Sequence, residues 1–293
     1  MRIGAFQLDK PLPDLREPHA LAMLRPWIDV GNVGSLMLSR LEALFKTKAL
    51  GRLARPGNFF DFTRYRPTMY LEEGKREVVI PNTLVTYAKR ETGNDFVFLH
   101  LLEPHMFGET YVDSVLLLLQ KLGVKRYCLL GSMYDFVPHT RPLIVTGSAA
   151  GKTAKDALNK VAIQSSDYQG PTTITYLISK RAPELSIETM SLIVHLPQYT
   201  QLDEDYMGKA RLMEVLCSLY DLPPDGTDIH KAEEQLKQLD IAVEKNEQVK
   251  EIMTHLESHY DAQMAMRKEE EMPQLSPEIE KFLKKMEKRF RQN

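Results

Sequence analysis

Residues 95–102, Asp-Phe-Val-Phe-Leu-His-Leu-Leu, form a near-continuous apolar run that stops at Glu103-Pro104-His105. A run this short with no polar face fits a strand covered on both sides, because a face turned to water would show as alternation. Layers above and below the sheet are therefore required, and the rest of the chain must supply them. Residues 20–24, 127–130, 143–145 and 186–196 read as further strands. Residues 35–45 place apolar side chains at 37, 38, 41, 44 and 45, one face of a helix. Further helices are read at 109–122, 153–163, 172–181 and 206–220, the last opened by Asp203-Glu204-Asp205 near its positive end. Strands separated by helices of about ten residues predict a mixed or parallel sheet covered on both faces, an α/β chain. Residues 68–72, 77–80 and 83–88 are shorter β-like pieces, and the turn Glu73-Gly74-Lys75 makes a hairpin of the first two. They are expected at the antiparallel flank of the sheet.

The stretch Cys128–Thr153 carries most of the candidate chemistry. It reads as a strand, a turn at Gly131-Ser132, an irregular loop through Pro138-His139-Thr140-Arg141-Pro142, a second strand, and a small-residue loop opening a helix near Lys152. Strand ends and helix starts crowd together in this way at the ligand crevices of open α/β sheets. The two prolines stiffen the loop, since each ring fixes its own φ and restricts the residue before it. Gly147-Ser-Ala-Ala-Gly151-Lys152-Thr153 imitates a phosphate-binding loop but has three residues between its glycines where four are needed, so it reads as a plain helix start. A second junction, Gly31-Asn32-Val33-Gly34, offers helix N-terminal amides that favour an anion, although tight packing of helix on sheet explains its glycines equally well.

The candidate crevice or ligand-binding residues are Asn32, Gly34, Glu103, His139, Thr140 and Arg141. Two readings of them compete. As an enzyme of hydrolase, phosphorylase or ligase-like type, a carboxylate, an imidazole and a guanidinium would bind and turn over a small anionic or nucleoside-like substrate. As a binding or assembly protein, which is the preferred reading, the same residues hold their loops: His139 through backbone hydrogen bonds, Arg141 through a carboxylate such as Asp135. His195, inside an apolar strand, reads as a satisfied core histidine. No Ser/His/Asp order with a nucleophile elbow is present, and the His100–His105 spacing does not suit a metal. No metal and no cofactor is expected.

Lys plus Arg number 38 against 40 Asp plus Glu, which gives no reason to expect a nucleic-acid partner. Cys128 and Cys217 lie in apolar runs without metal-ligand spacing and read as reduced thiols. With no secretory signal and no apolar run long enough to span a bilayer, the expectation is a cytoplasmic protein without a membrane partner. At Asp221-Leu-Pro-Pro-Asp-Gly226 the composition shifts to dense charge without strand candidates. A domain of residues 1–222 and an all-helical appendage of 223–293 are expected. The appendage reads as two helices joined near Asn246, with one long stuttering helix as the alternative, then a last helix opened by Ser276-Pro277.

Several of these pieces together resemble the proteasome assembly chaperone family, second-subunit type, as found in bacteria and archaea. The likeness is carried by Trp27–Gly34, by Gly93-Asn94-Asp95 with Leu102-Glu103-Pro104, and by Gly131-Ser132 with Val137–Pro142. Thr146-Gly147 and Val194-His195-Leu196-Pro197-Gln198-Tyr199 complete it. It spans roughly residues 20–225. The resemblance implies a phosphorylase-like three-layer α/β/α fold with a mixed sheet. It also implies a chaperone-like protein that self-associates into rings or trimers, trimers foremost, with a client protein as further partner. Archaeal chaperone-like members can end in a hydrophobic-Tyr-any tripeptide that docks into proteasome pockets; Arg291-Gln292-Asn293 departs from that pattern.

Overall fold

The computed structural model describes residues 1–166, 168–223, 226–245 and 247–271. Short strands β1 (Arg2–Ile3) and β2 (Phe6–Leu8) precede β3 (His19–Arg25) and helix α1 (Val33–Phe45). Then come β4 (Lys48–Leu53), the hairpin β5 (Thr68–Glu72) and β6 (Lys75–Val79), β7 (Leu84–Ala88), β8 (Phe96–Leu102) and α2 (Gly108–Lys121). The second half runs β9 (Arg126–Asp135), β10 (Val145–Ala150), α3 (Lys152–Lys160), β11 (Gln164–Ser165), α4 (Ile174–Arg181), β12 (Glu188–Pro197) and α5 (Tyr206–Tyr220). Two helices follow, α6 (Gly226–Glu244) and α7 (Glu247–Glu271).

Ten strands make one mixed sheet in the order β1-β2-β4-β7-β8-β3-β9-β12-β10-β11. Its centre, β8-β3-β9-β12, is parallel, and the strands from β1 to β7 extend it antiparallel. The apolar run of β8 serves two cores at once. Val97, Leu99 and Leu101 pack with Tyr111, Val115 and Leu119 of α2 and Ile178 of α4. Phe96 and Phe98 pack on the opposite side with Met37 and Leu41 of α1 and Leu212 and Leu216 of α5. Side chains alternate faces along a strand, so covering both faces demands an uninterrupted apolar sequence. The result is the three-layer α/β/α arrangement.

The expected turn at Gly131-Ser132 is not one. β9 continues to Asp135 because β12 pairs with it in parallel from Glu188↔Arg126 to Pro197↔Asp135. A Cβ on Gly131 would lie 2.6 Å from the Ile28 carbonyl oxygen, so the glycine admits a crossing chain segment. Ser132 N–H donates to that same carbonyl, at 2.9 Å. The small residues 146–150, expected as a loop, form β10, antiparallel to β12; a Cβ on Gly147 would meet the Ser191 carbonyl oxygen at 2.5 Å. The hairpin of β5 and β6 forms where expected but as a separate two-stranded sheet; of that group only β7 joins the main sheet.

Asp205 caps α5 as its acids suggest, accepting the Gly208 N–H at 2.7 Å. By contacts the chain divides after Lys245, so the unit that holds the sheet includes α6, which packs on α5. The residue-222 boundary read from composition falls at the turn before α6. The helix read after Ser276 and the terminal tripeptide lie outside the described residues. Among the described residues, no helix is long and apolar enough to cross a membrane.

Candidate functional site

Because β8, β3, β9 and β12 are parallel, the loops that leave their carboxyl ends share one edge of the sheet. Every candidate residue lies there: Glu103 after β8, Asn32 and Gly34 after β3, and His139, Thr140 and Arg141 after β9. The edge is largely occupied by the protein's own groups.

At the β3–α1 junction the anion that the helix start favours is the chain's own Asp29, which is buried. Its carboxylate accepts the Ser35 N–H at 3.0 Å and the Ser35 hydroxyl at 2.6 Å. Burial raises the Asp29 carboxyl above its ordinary range, and the bonds from Ser35 and Gly34 oppose that shift. A Cβ on Gly34 would lie 3.0 Å from Asp29 Oδ1 and 3.1 Å from the Leu130 carbonyl oxygen, so this glycine serves close packing. Gly31, at φ +59°, accepts the Asp205 N–H at 2.8 Å, and Asn32 Nδ2 donates to the Asp203 carbonyl at 2.8 Å. The junction is thus stitched to the start of α5.

Glu103 joins β8 to α4. Its Oε1 accepts the Ile174 N–H at 3.0 Å, while its backbone carbonyl accepts the Tyr65 hydroxyl at 3.1 Å. Oε2 is buried with no hydrogen-bond partner, and burial raises this carboxyl too. His139 is filled in from both sides. Its backbone N–H donates to the Tyr199 hydroxyl at 2.8 Å, Nδ1 pairs with the same hydroxyl, and Nε2 stands 3.2 Å from Asp240 Oδ1 on α6. With its proton on Nε2, the ring accepts from Tyr199 and donates to Asp240. The side chain is 1% exposed. In the same loop Thr140 is exposed and Arg141 half-buried.

His195 bonds through both nitrogens, Nδ1 to Asp135 Oδ2 at 2.7 Å and Nε2 to Thr146 Oγ1 at 2.9 Å. Hydroxyl, imidazole and carboxylate stand in the order of a catalytic relay. Thr146, however, is buried mid-ladder between Ile193 of β12 and Gln164 of β11. The bonds tie β9, β10 and β12 together, the structural role read for this histidine.

Residues 23–242 match the model of the PAC2 family. The chain belongs to the PAC2 family. Among solved structures, a Mycobacterium tuberculosis protein of unknown function shares 25% identity at a TM-score of 0.79, covering 92% of this chain and 93% of its own. A Mycobacterium tuberculosis proteasome-assembly chaperone homologue matches at TM-score 0.71 and 20% identity, over 80% of this chain and 99% of its own. An archaeal proteasome activator from Pyrococcus furiosus matches at 0.62 and 13%, over 82% and 99%. The latter two likenesses are of fold. No curated protein matches the chain.

In this PAC2 chain two of the motifs that carry the resemblance meet, since His139 and Tyr199 bond each other. The sequence reading did not join Tyr199 and Asp240 to His139, because those roles depend on contacts across the fold. It also missed three large apolar side chains at the same edge. Phe107 follows β8, Trp27 follows β3 and Phe136 follows β9, each between 64% and 69% exposed, in the loops of three neighbouring strands. The available signal was their placement, since each falls in a strand-ending loop outside any periodic apolar pattern.

Proposed function

We propose that this PAC2-family chain is a non-enzymatic, chaperone-like assembly protein that self-associates, three copies foremost, and binds a client protein at the carboxyl edge of its sheet. The observation that carries the reading is the group of Phe107, Trp27 and Phe136, exposed on strand-ending loops, of which those of Trp27 and Phe136 are anchored through the buried Asp29 and His139. Rigid loops presenting large apolar side chains lose little entropy on docking, and aromatic anchors dominate protein interfaces. A folded proteasome subunit is the client class suggested by the chaperone homologue and the activator that share this fold.

Trp27 is the chain's single tryptophan, so it reports on its own surface. Adding purified proteasome subunits from the source organism should shift its fluorescence to the blue and saturate. A Phe107→Ala/Phe136→Ala variant, with an unchanged melting temperature, should bind at least ten-fold more weakly. Unchanged Trp27 fluorescence with every subunit, or equal binding by the variant, would count against the reading.

A further inference from the structure

Where β3 and β8 end, Arg25 and Leu102 stand opposite each other in register. Beside them opens a groove of about 390 Å³, within the size range of small-molecule sites. Its apolar walls are Leu102, Tyr65, Val79 and the rings of Pro26 and Pro81. These walls are held in place. Tyr65 is fixed twice, its hydroxyl donating to the Glu103 carbonyl at 3.1 Å and its ring lying 4.5 Å from that of His105, centroid to centroid. Val79 pairs with Thr68 at the foot of the β5–β6 hairpin. Asn82, next to Pro81, bonds both the N–H and the carbonyl of Leu53. A pocket whose walls are set beforehand loses little freedom on binding.

The rest of the lining is Thr68, Arg25 and Arg66, and it includes no carboxylate. Among the described residues, neither guanidinium has an ion pair or a side-chain hydrogen bond. The carboxylates nearest in sequence to Leu102, Arg25 and Arg66 are engaged elsewhere: Glu103 accepts from Ile174, Asp29 from Ser35 and Asp61 from Thr63. Glu77 shares the hairpin face of Val79 but stands two residues, ~7 Å, farther out. The groove therefore joins fixed apolar walls to two cations that nothing in the chain neutralises at close range. A guanidinium fork matches the paired oxygens of a carboxylate or a phosphate, and apolar walls take an apolar body. We propose that this groove binds a small amphiphilic anion, a carboxylate or phosphate monoester on an apolar chain, with its head against Arg25 and Arg66. The site goes beyond the assembly reading and does not depend on it, although Trp27 follows Pro26 directly and a filled groove would border the client surface.

Isothermal titration calorimetry of the full chain with hexanoate, hexyl phosphate, hexanamide and acetate tests it. Hexanoate, hexyl phosphate or both should bind one to one with a Kd of ~1 mM, as a ligand of this size supplies at ordinary efficiency. The tighter of the two distinguishes a carboxylate from a phosphate as the natural head group. Hexanamide, which lacks the charge, and acetate, which lacks the body, should bind at least ~10-fold more weakly. Arg25→Gln/Arg66→Gln should weaken binding by at least the same factor, and so should Val79→Asp, which sets a carboxylate at the wall. Since Arg25, Arg66 and Val79 are exposed, both variants should keep the melting temperature of the wild type. No saturable heat from either anion up to ~20 mM would overturn the proposal and leave the client surface standing. Hexanamide binding as tightly as hexanoate, or undiminished binding of the anions by either variant, would overturn it as well.

Discussion

Acidification from pH 7 to pH 4.5 should destabilise this protein by ~2 kcal/mol through a single side chain, His19. The ring sits at the start of β3, 8% exposed, edge-on to Tyr220, with Nδ1 3.2 Å from the tyrosine hydroxyl. Burial, then the nearby Arg126 and Arg90 charges, push its pKa from 6.5 down to about 4, against an opposing pull from Glu188. Between those values the unfolded chain takes up a proton that the folded chain refuses. Stability is therefore fully present above the unfolded value and falls with pH across the window. Each pH unit in the window is worth ~1.4 kcal/mol, so the loss stands near 2 kcal/mol at pH 4.5 and approaches ~3 kcal/mol at pH 4. His19→Gln keeps an acceptor for Tyr220 and removes the titration. Urea unfolding followed by circular dichroism, at pH 7 and 4.5, should show the wild type losing ~2 kcal/mol more than the variant. Asp29, Glu103 and Asp205, whose carboxyls burial raises, act in the opposite direction in both proteins and drop out of the difference. Equal losses in the two proteins would refute the argument.

Two further outcomes are expected. Glu103→Gln should leave stability at pH 7 unchanged or raise it by up to ~1 kcal/mol, because the amide still accepts the Ile174 N–H and no buried charge must be held; Glu103→Ala strands that N–H and should cost ~1–3 kcal/mol by denaturant titration. A chain cut after Lys245 should melt cooperatively, whereas one cut after residue 222 should melt cooperatively but at a lower temperature. The shorter chain loses Gln235, which accepts the Tyr206 N–H and donates to the Glu204 carbonyl at 2.8 Å each, and Asp240, which holds His139; equal melting temperatures in scanning calorimetry would show that α6 adds nothing to the sheet-bearing unit.

The elements that the sequence showed clearly are those whose pattern is local. The unbroken apolar run of residues 95–102 requires cover on both faces whatever its neighbours are, and α1, α2 and α5 follow from a helical period and their flanking residues. The strands that escaped notice, β1, β2, β4 and β11, are short or polar, and they are strands only because an edge of the sheet is there to pair with. Gly131 shows the same limit. A glycine-serine pair reads as a turn when the chain is taken alone, yet ten residues of β12 run beside it and the Ile28 carbonyl crosses over it.

By itself, the sequence determined the layered α/β class and the edge on which its polar loops gather, because periodicity and steric restriction act between near neighbours in the chain. It also carried the family, in motifs that can be read as a string. What those loops hold was decided by the tertiary structure. Asp29 supplies the anion at the α1 start, Tyr199 and Asp240 close over His139, and Phe107, Trp27 and Phe136 are left facing outward. Those outcomes depend on which distant residues meet once the sheet has ordered its strands, and a hydrogen bond of 3.2 Å between positions 101 residues apart leaves no trace in the spacing of either.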